Sequence, residues 1–141
     1  MENYQTPKDS NPLDIIIEPS SDAALDGPNE VMVTVYHEDT PRQWRKITVT
    51  EISNGIYKAE VDKEMLTDRP IIKIKTSFIV DSTQMPSKEL VMQQTTIDYN
   101  FDGGASVDFK SAFGQDPSEY DDGRADDETF MVIKKVSITL T

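Results

Sequence analysis

Residues 71–80 read IIKIKTSFIV, and this stretch decides the fold class. Ile72, Ile74, Phe78 and Val80 fall on one side of an extended chain, and Lys73, Lys75 and Ser77 on the other. Successive side chains of a strand point to opposite faces, so a period of two marks a strand with one buried and one wet face. A helix would mix the two sets around its axis. The stretch therefore predicts a half-buried β-strand.

The same alternation runs outward in both directions. EVMVTVYH (30–37) sets Val31, Val33 and Val35 against Met32, Thr34 and Tyr36. DTPRQ breaks the pattern, and WRKITVTEI (44–52) resumes it with Ile47 and Val49 inside. SNG then supplies an Asn-Gly pair suited to a hairpin turn, and IYKAEV (56–61) groups Tyr57, Ala59 and Val61. DKEMLTDRP (62–70) has the makings of a helical turn that Pro70 ends. ELVMQQTTIDYNF (89–101) reads as one long strand or a bent pair, and ASVDFK (105–110) as a short one. TFMVIKKVSITLT (129–141) keeps Phe130, Val132, Val136, Ile138 and Leu140 in phase; Lys134 interrupts that face and reads as an edge position or a bulge.

Seven or eight strands without a substantial helix predict an all-β fold, an antiparallel β-sandwich over residues 30–141. Residues 1–29 contain four prolines and little apolar content beyond LDIIIE (13–18). They read as an extended, Pro-rich acidic arm, with one edge strand at most. Leu13, Ile15, Ile16 and Ile17 are its candidate partner-binding patch.

At residues 53–61, SNGIYKAEV resembles the Gly-x-Tyr approach to a late strand in immunoglobulin-like sandwiches. The resemblance implies an Ig-like architecture in the loose sense and no activity. It extends in style to the β-sandwich modules of accessory proteins in tailed-phage particles.

The 141 residues carry a net charge of −12 and no cysteine. The charge is −6 over residues 1–30, zero over 31–97, −8 over 98–130 and +2 over 131–141. An acidic chain repels phosphate, which argues against direct nucleic-acid or anionic-membrane binding and for basic partners or cations. Neither a secretory signal nor a transmembrane segment is expected from the polar start and the short apolar runs.

Within IDYNFDGG (97–104), Asp98, Asn100 and Asp102 followed by glycine resemble the front of a calcium loop. The bidentate Glu of that loop is missing, for its place is held by Phe109. The plainer reading is the wet face of a strand entering a Gly-Gly hairpin. A second acidic cluster, in the loop at 114–129, holds Asp121, Asp122, Asp126, Asp127 and Glu128; it could bind cations, and reads first as a mobile interaction loop that contacts basic surfaces. Catalysis has little support: His37 is the single histidine, and no phosphate loop or zinc pair is present. Trp44 reads as a core plug between the sheets or as an exposed platform for a sugar or partner, the core being favoured because aromatics at a strand's entry bury large apolar area.

The expectation is a non-enzymatic structural or assembly protein without a cofactor. It would be a bacteriophage virion component such as a head-decoration, neck or tail accessory protein, docking on other subunits of a homo- or hetero-oligomer through its arm. The alternative is an extracellular carbohydrate- or surface-binding module, with Ca²⁺ at Asp98, Asn100 and Asp102.

Overall fold

A computed structural model describes residues 1–26, 30–81, 83, 87–123 and 128–141. The strands in chain order are β1 (Glu2–Thr6), β2 (Leu13–Ser20), β3 (Ala24–Leu25), β4 (Val31–His37), β5 (Thr40–Ile47), β6 (Val49–Ser53) and β7 (Ile56–Val61). They continue with β8 (Pro70–Ile79), the helix α1 (Lys88–Gln94), β9 (Thr96–Asp102), β10 (Ser106–Ala112), β11 (Tyr120–Asp121) and β12 (Thr129–Leu140). One sheet runs β1-β12-β8-β4-β5, with β11 also beside β12 and β3 beside β8; the other runs β10-β9-β2-β7-β6. They are called here the β8 sheet and the β2 sheet.

The two sheets face one another, and the expected all-β sandwich is the fold. The alternation read in residues 71–80 is in the expected phase. Ile72, Ile74 and Phe78 are buried, and Val33, Val35, Ile47, Val132, Val136 and Ile138 share their face. Phe78 stacks on Phe130 with ring centroids 4.9 Å apart. The β2 sheet meets them with Leu13, Ile15, Ile17, Tyr57, Ala59, Val61, Ile97, Tyr99 and Phe101. Each fully buried large side chain contributes about 1.5–3 kcal/mol, and this two-sided core is what holds the sheets together. Val49 and Leu140, expected inside, are partly buried at its margin.

The N-terminal segment is not an arm. β1 adds to β12, the one parallel pairing among the described residues, and β2 is the central strand of its sheet between β7 and β9. Leu13, Ile15 and Ile17 are wholly buried in the domain's own core, so they are unavailable to a partner; Ile16 alone points outward. The prolines are compatible with this because Pro12 precedes β2 and Pro19 lies near its end, where a missing N–H costs least.

Three further readings are corrected. Residues 44–52 are not one strand: β5 ends at Ile47 in one sheet and β6 begins at Val49 in the other. Residues 88–94 are helical, because the Ser87 hydroxyl accepts from the Leu90 N–H and Val91 and Met92 turn together into the core. Lys134 is neither at an edge nor at a bulge; it is buried in β12, which β1 and β8 flank. The expected turn at 62–70 is present as a short 3-10 helix, Lys63–Met65. Among the described residues no helix is long and apolar enough to cross a membrane.

Candidate functional site

Cross-strand partners share a face, so the registers give the outer surface of the β8 sheet row by row. Lys135 stands opposite Lys73, Lys73 opposite Thr34, and Thr34 opposite Lys46. The next row holds Ile133, Lys75 and Met32. On the other side run Ser137, Ile71, Tyr36 and Trp44. Four adjacent strands, β12, β8, β4 and β5, therefore deliver four lysines and an aromatic pair to one surface. No outward position of β1, β4, β5, β8 or β12 in this register is acidic, and Asp121, opposite Met131, is the only carboxylate aligned with it from β11. Among the described residues no carboxylate forms an ion pair with Lys73, Lys75 or Lys135.

Trp44 is 56% exposed here, contrary to the expectation of a core position. Its strand, β5, is the sheet's last, and its residues other than Ile47 are exposed. Ile71, on the same outer face, is nevertheless only 5% exposed. Met32, Tyr36, Pro41 and Trp44 with Lys73, Lys75 and Lys135 line a shallow depression of about 340 Å³. Burial pushes the Tyr36 hydroxyl above its ordinary value, with the nearby Glu38 charge adding to the effect.

The outer face of the β2 sheet has the opposite sign. Asp14 is opposite both Asp102 and Glu60, Glu18 is opposite Asp98, and Asp108 is opposite Asn100. Lys58 is within 3.3 Å of Glu60 and 3.8 Å of Asp14, and Lys110 stands across from Asp98. The surplus on this face is acidic.

The candidate calcium residues lie on that face, along β9 rather than around a loop. Alternate residues of a strand are about 6.6 Å apart, so Asp98, Asn100 and Asp102 point outward in parallel without converging. Asn100 Nδ2 donates to Asp108 and Ser106, both at 2.8 Å. The turn that follows is held by the protein itself. Gly103 N–H donates to the Tyr4 hydroxyl at 2.7 Å, and Gly103 O accepts from Thr6 Oγ1 at 2.8 Å and from the Lys63 ammonium. A Cβ on Gly103 would meet Thr6 Oγ1 at 2.5 Å, so only glycine fits. The positive charge at this turn is the buried Lys63, which also binds Asp9 and holds that carboxyl below its usual value. Among the described residues no three His, Cys, Asp or Glu side chains are placed to hold a metal ion.

In the acidic segment, Asp121 is in β11, where its carboxylate accepts from Gly123 N–H. Lys88 of α1 donates to the Asp122 carbonyl at 2.7 Å, and the Glu128 carbonyl accepts from Val80 N–H. Asp126 and Asp127 lie outside the described residues. Glu119, just upstream, turns inward. It accepts from Lys134 Nζ at 3.1 Å and from Ser111 Oγ at 2.7 Å, and Ser111 in turn contacts the Tyr99 hydroxyl at 3.0 Å. The Nδ1 of His37 lies 3.3 Å from the Asp68 carbonyl oxygen at the end of β4. Tyr57, the centre of the Ig-like resemblance, faces Glu51 across its own hairpin, and burial with that contact raises its hydroxyl to about 12.

No protein family, no curated protein and no solved structure matches this chain. The residues that sequence reasoning missed are Lys46, Lys73, Lys75 and Lys135. The signal for two of them was in plain sight as the wet half of IIKIKTS, but it was read only as solvation.

Proposed function

We propose that the chain is a non-catalytic docking domain, a structural or assembly component, which works through the outer face of the β8 sheet. The observation that carries this reading is the row Lys135–Lys73–Thr34–Lys46 beside an exposed Trp44, in a chain whose net charge is −12. A cationic surface in an acidic protein is not explained by solubility, since scattering the lysines would dissolve the chain equally well. Its chemistry suits an acidic protein partner, with Trp44 and Tyr36 supplying rigid contact area at the centre of the contact. A decoration, neck or tail component of a tailed-phage virion is the setting the sequence suggests, with this face in place of the discarded arm as the attachment surface.

Trp44 is the chain's only tryptophan, so its emission reports on the face directly. Poly-L-glutamate should change it saturably at low salt, and about 0.5 M salt should abolish the change because the charges lie at the solvent surface. Lys73→Glu with Lys75→Glu should remove it. An unchanged emission sinks the docking reading, and tighter binding of an oligothymidylate of equal charge would move the partner from protein to nucleic acid. The exposed Trp44 beside the half-buried Tyr36 also favours a second reading, an extracellular carbohydrate-binding module. Saturable binding of a neutral oligosaccharide that salt leaves unchanged would support it.

A further inference from the structure

The two outer faces of the sandwich carry opposite charge, and among the described residues no element covers either. We infer that the acidic partner of the β8 face is the β2 face of a second copy of this chain, so that the domain associates head to tail. This rests on the docking reading above and names its partner.

Both faces hold like charges in direct opposition: Lys73 against Lys135 on one, Asp14 against Asp102 and Glu18 against Asp98 on the other. Like charges directly opposite destabilise a sheet, and a surface of opposite sign relieves both sets at once. The sheet edges are less suited to the task. β5 carries Pro41, Arg42 and Arg45, and β6 is short and irregular between Glu51 and Ser53. Charge, proline and irregularity at an edge are what discourage strand addition. Strand addition is discouraged at these two of the four edges, and the complementary charge lies on the faces, so the association is placed face on face. A contact between two different surfaces of one chain leaves a free face at each end, so it continues into a ring or a filament.

The size of the contact sets its strength. With strands about 4.8 Å apart, four strands and seven residues cover a face of roughly 20 by 25 Å. That is below the roughly 800 Å² per partner of a stable pair, and both copies are acidic overall. The association is accordingly weak alone, favoured by high local concentration.

The test is sedimentation velocity on the full chain, with concentration varied at low and high salt. The weight-average sedimentation coefficient should rise with concentration at low salt and stay flat in about 0.5 M salt, where charges are screened beyond about 4 Å. Lys73→Glu/Lys75→Glu/Lys135→Glu reverses one face, and Glu18→Lys/Asp98→Lys/Asp108→Lys reverses the other. Each variant alone should remain monomeric with an unchanged circular-dichroism spectrum. Mixed in equal amounts, the two should associate again, since each then offers the face the other lacks. A wild-type chain that stays monomeric, or a mixture that fails to recover, overturns the inference. If poly-L-glutamate still shifts Trp44 emission in that chain, the docking reading survives without it; if that response is absent too, both fall.

Discussion

Lys73 and Lys135 are directly opposed across the β8–β12 ladder on the outer face of their sheet. Opposed like charges weaken a cross-strand pair, so Lys135→Gln should raise stability by about 0.2–1 kcal/mol. Urea unfolding at low salt measures the gain, which salt should shrink. The same substitution should weaken poly-L-glutamate binding. Loss of stability instead would mean that Lys135 makes a contact of structural value, and the face would lose its claim to be kept for function.

Lys134, in the same strand, is the opposite case. Its ammonium is buried and depends on Glu119 at 3.1 Å, Glu2 at 3.6 Å and the Lys110 carbonyl at 3.1 Å. Removing Glu119 leaves the buried charge only the more distant Glu2 and one carbonyl, whereas removing the charge leaves two acids that reach solvent. Glu119→Ala should therefore cost about 3 kcal/mol and Lys134→Met less than about 1 kcal/mol. Chemical denaturation of both variants decides it, and the reverse ranking would refute this account of the buried pair.

Ile15 has neighbours on both sides, Ala59 in β7 and Phe101 in β9. Ile15→Ala should cost about 2–5 kcal/mol, the range for deleting a buried aliphatic side chain. Removing residues 1–26 takes out β1, β2 and β3 and splits the second sheet, so the remainder should lack a cooperative thermal transition. A folded remainder would restore the separable arm.

What the sequence made legible was local. The phase of residues 71–80, the half-buried β4 and β12, and the hairpin at Asn54-Gly55 all follow from alternation and turn chemistry. What it hid depends on partners far along the chain. LDIIIE looks like an edge strand because nothing nearby says that residues 57–61 and 97–102 will flank it. The helix 88–94 was lost because a short apolar run fits either period. The cationic face was hidden in a different way. Charge counted in blocks along the chain gives zero for residues 31–97, yet a strand sorts its charges by face, and Lys46, Lys73 and Lys75 come out on the same one.

Three tyrosines give a test of the sandwich at high pH. Burial raises the hydroxyls of Tyr57 and Tyr120 to about 12, from the ordinary tyrosine value of about 10, and it raises Tyr99 further. Burial is the main cause at all three, aided by the charge of Glu51 at Tyr57 and of Glu119 at Tyr99 and Tyr120, so each is held neutral in the folded chain; the Ser111 bond to Tyr99 works the other way. A group whose folded pKa lies above its unfolded value binds its proton more tightly when folded. It contributes stability that is fully present below the unfolded pKa and is lost as pH rises towards the folded one. The melting temperature should therefore fall between pH 10.0 and about 12 as this contribution is withdrawn. Tyrosinate absorbance should lag behind that of the chain in urea over the same interval. Tyr120→Phe should reduce the lag, at the cost of the bond to Thr95. Identical tyrosinate curves in buffer and in urea would show these hydroxyls open to water, and the packing of Tyr99 and Tyr120 against α1 and β10 would have to be redrawn.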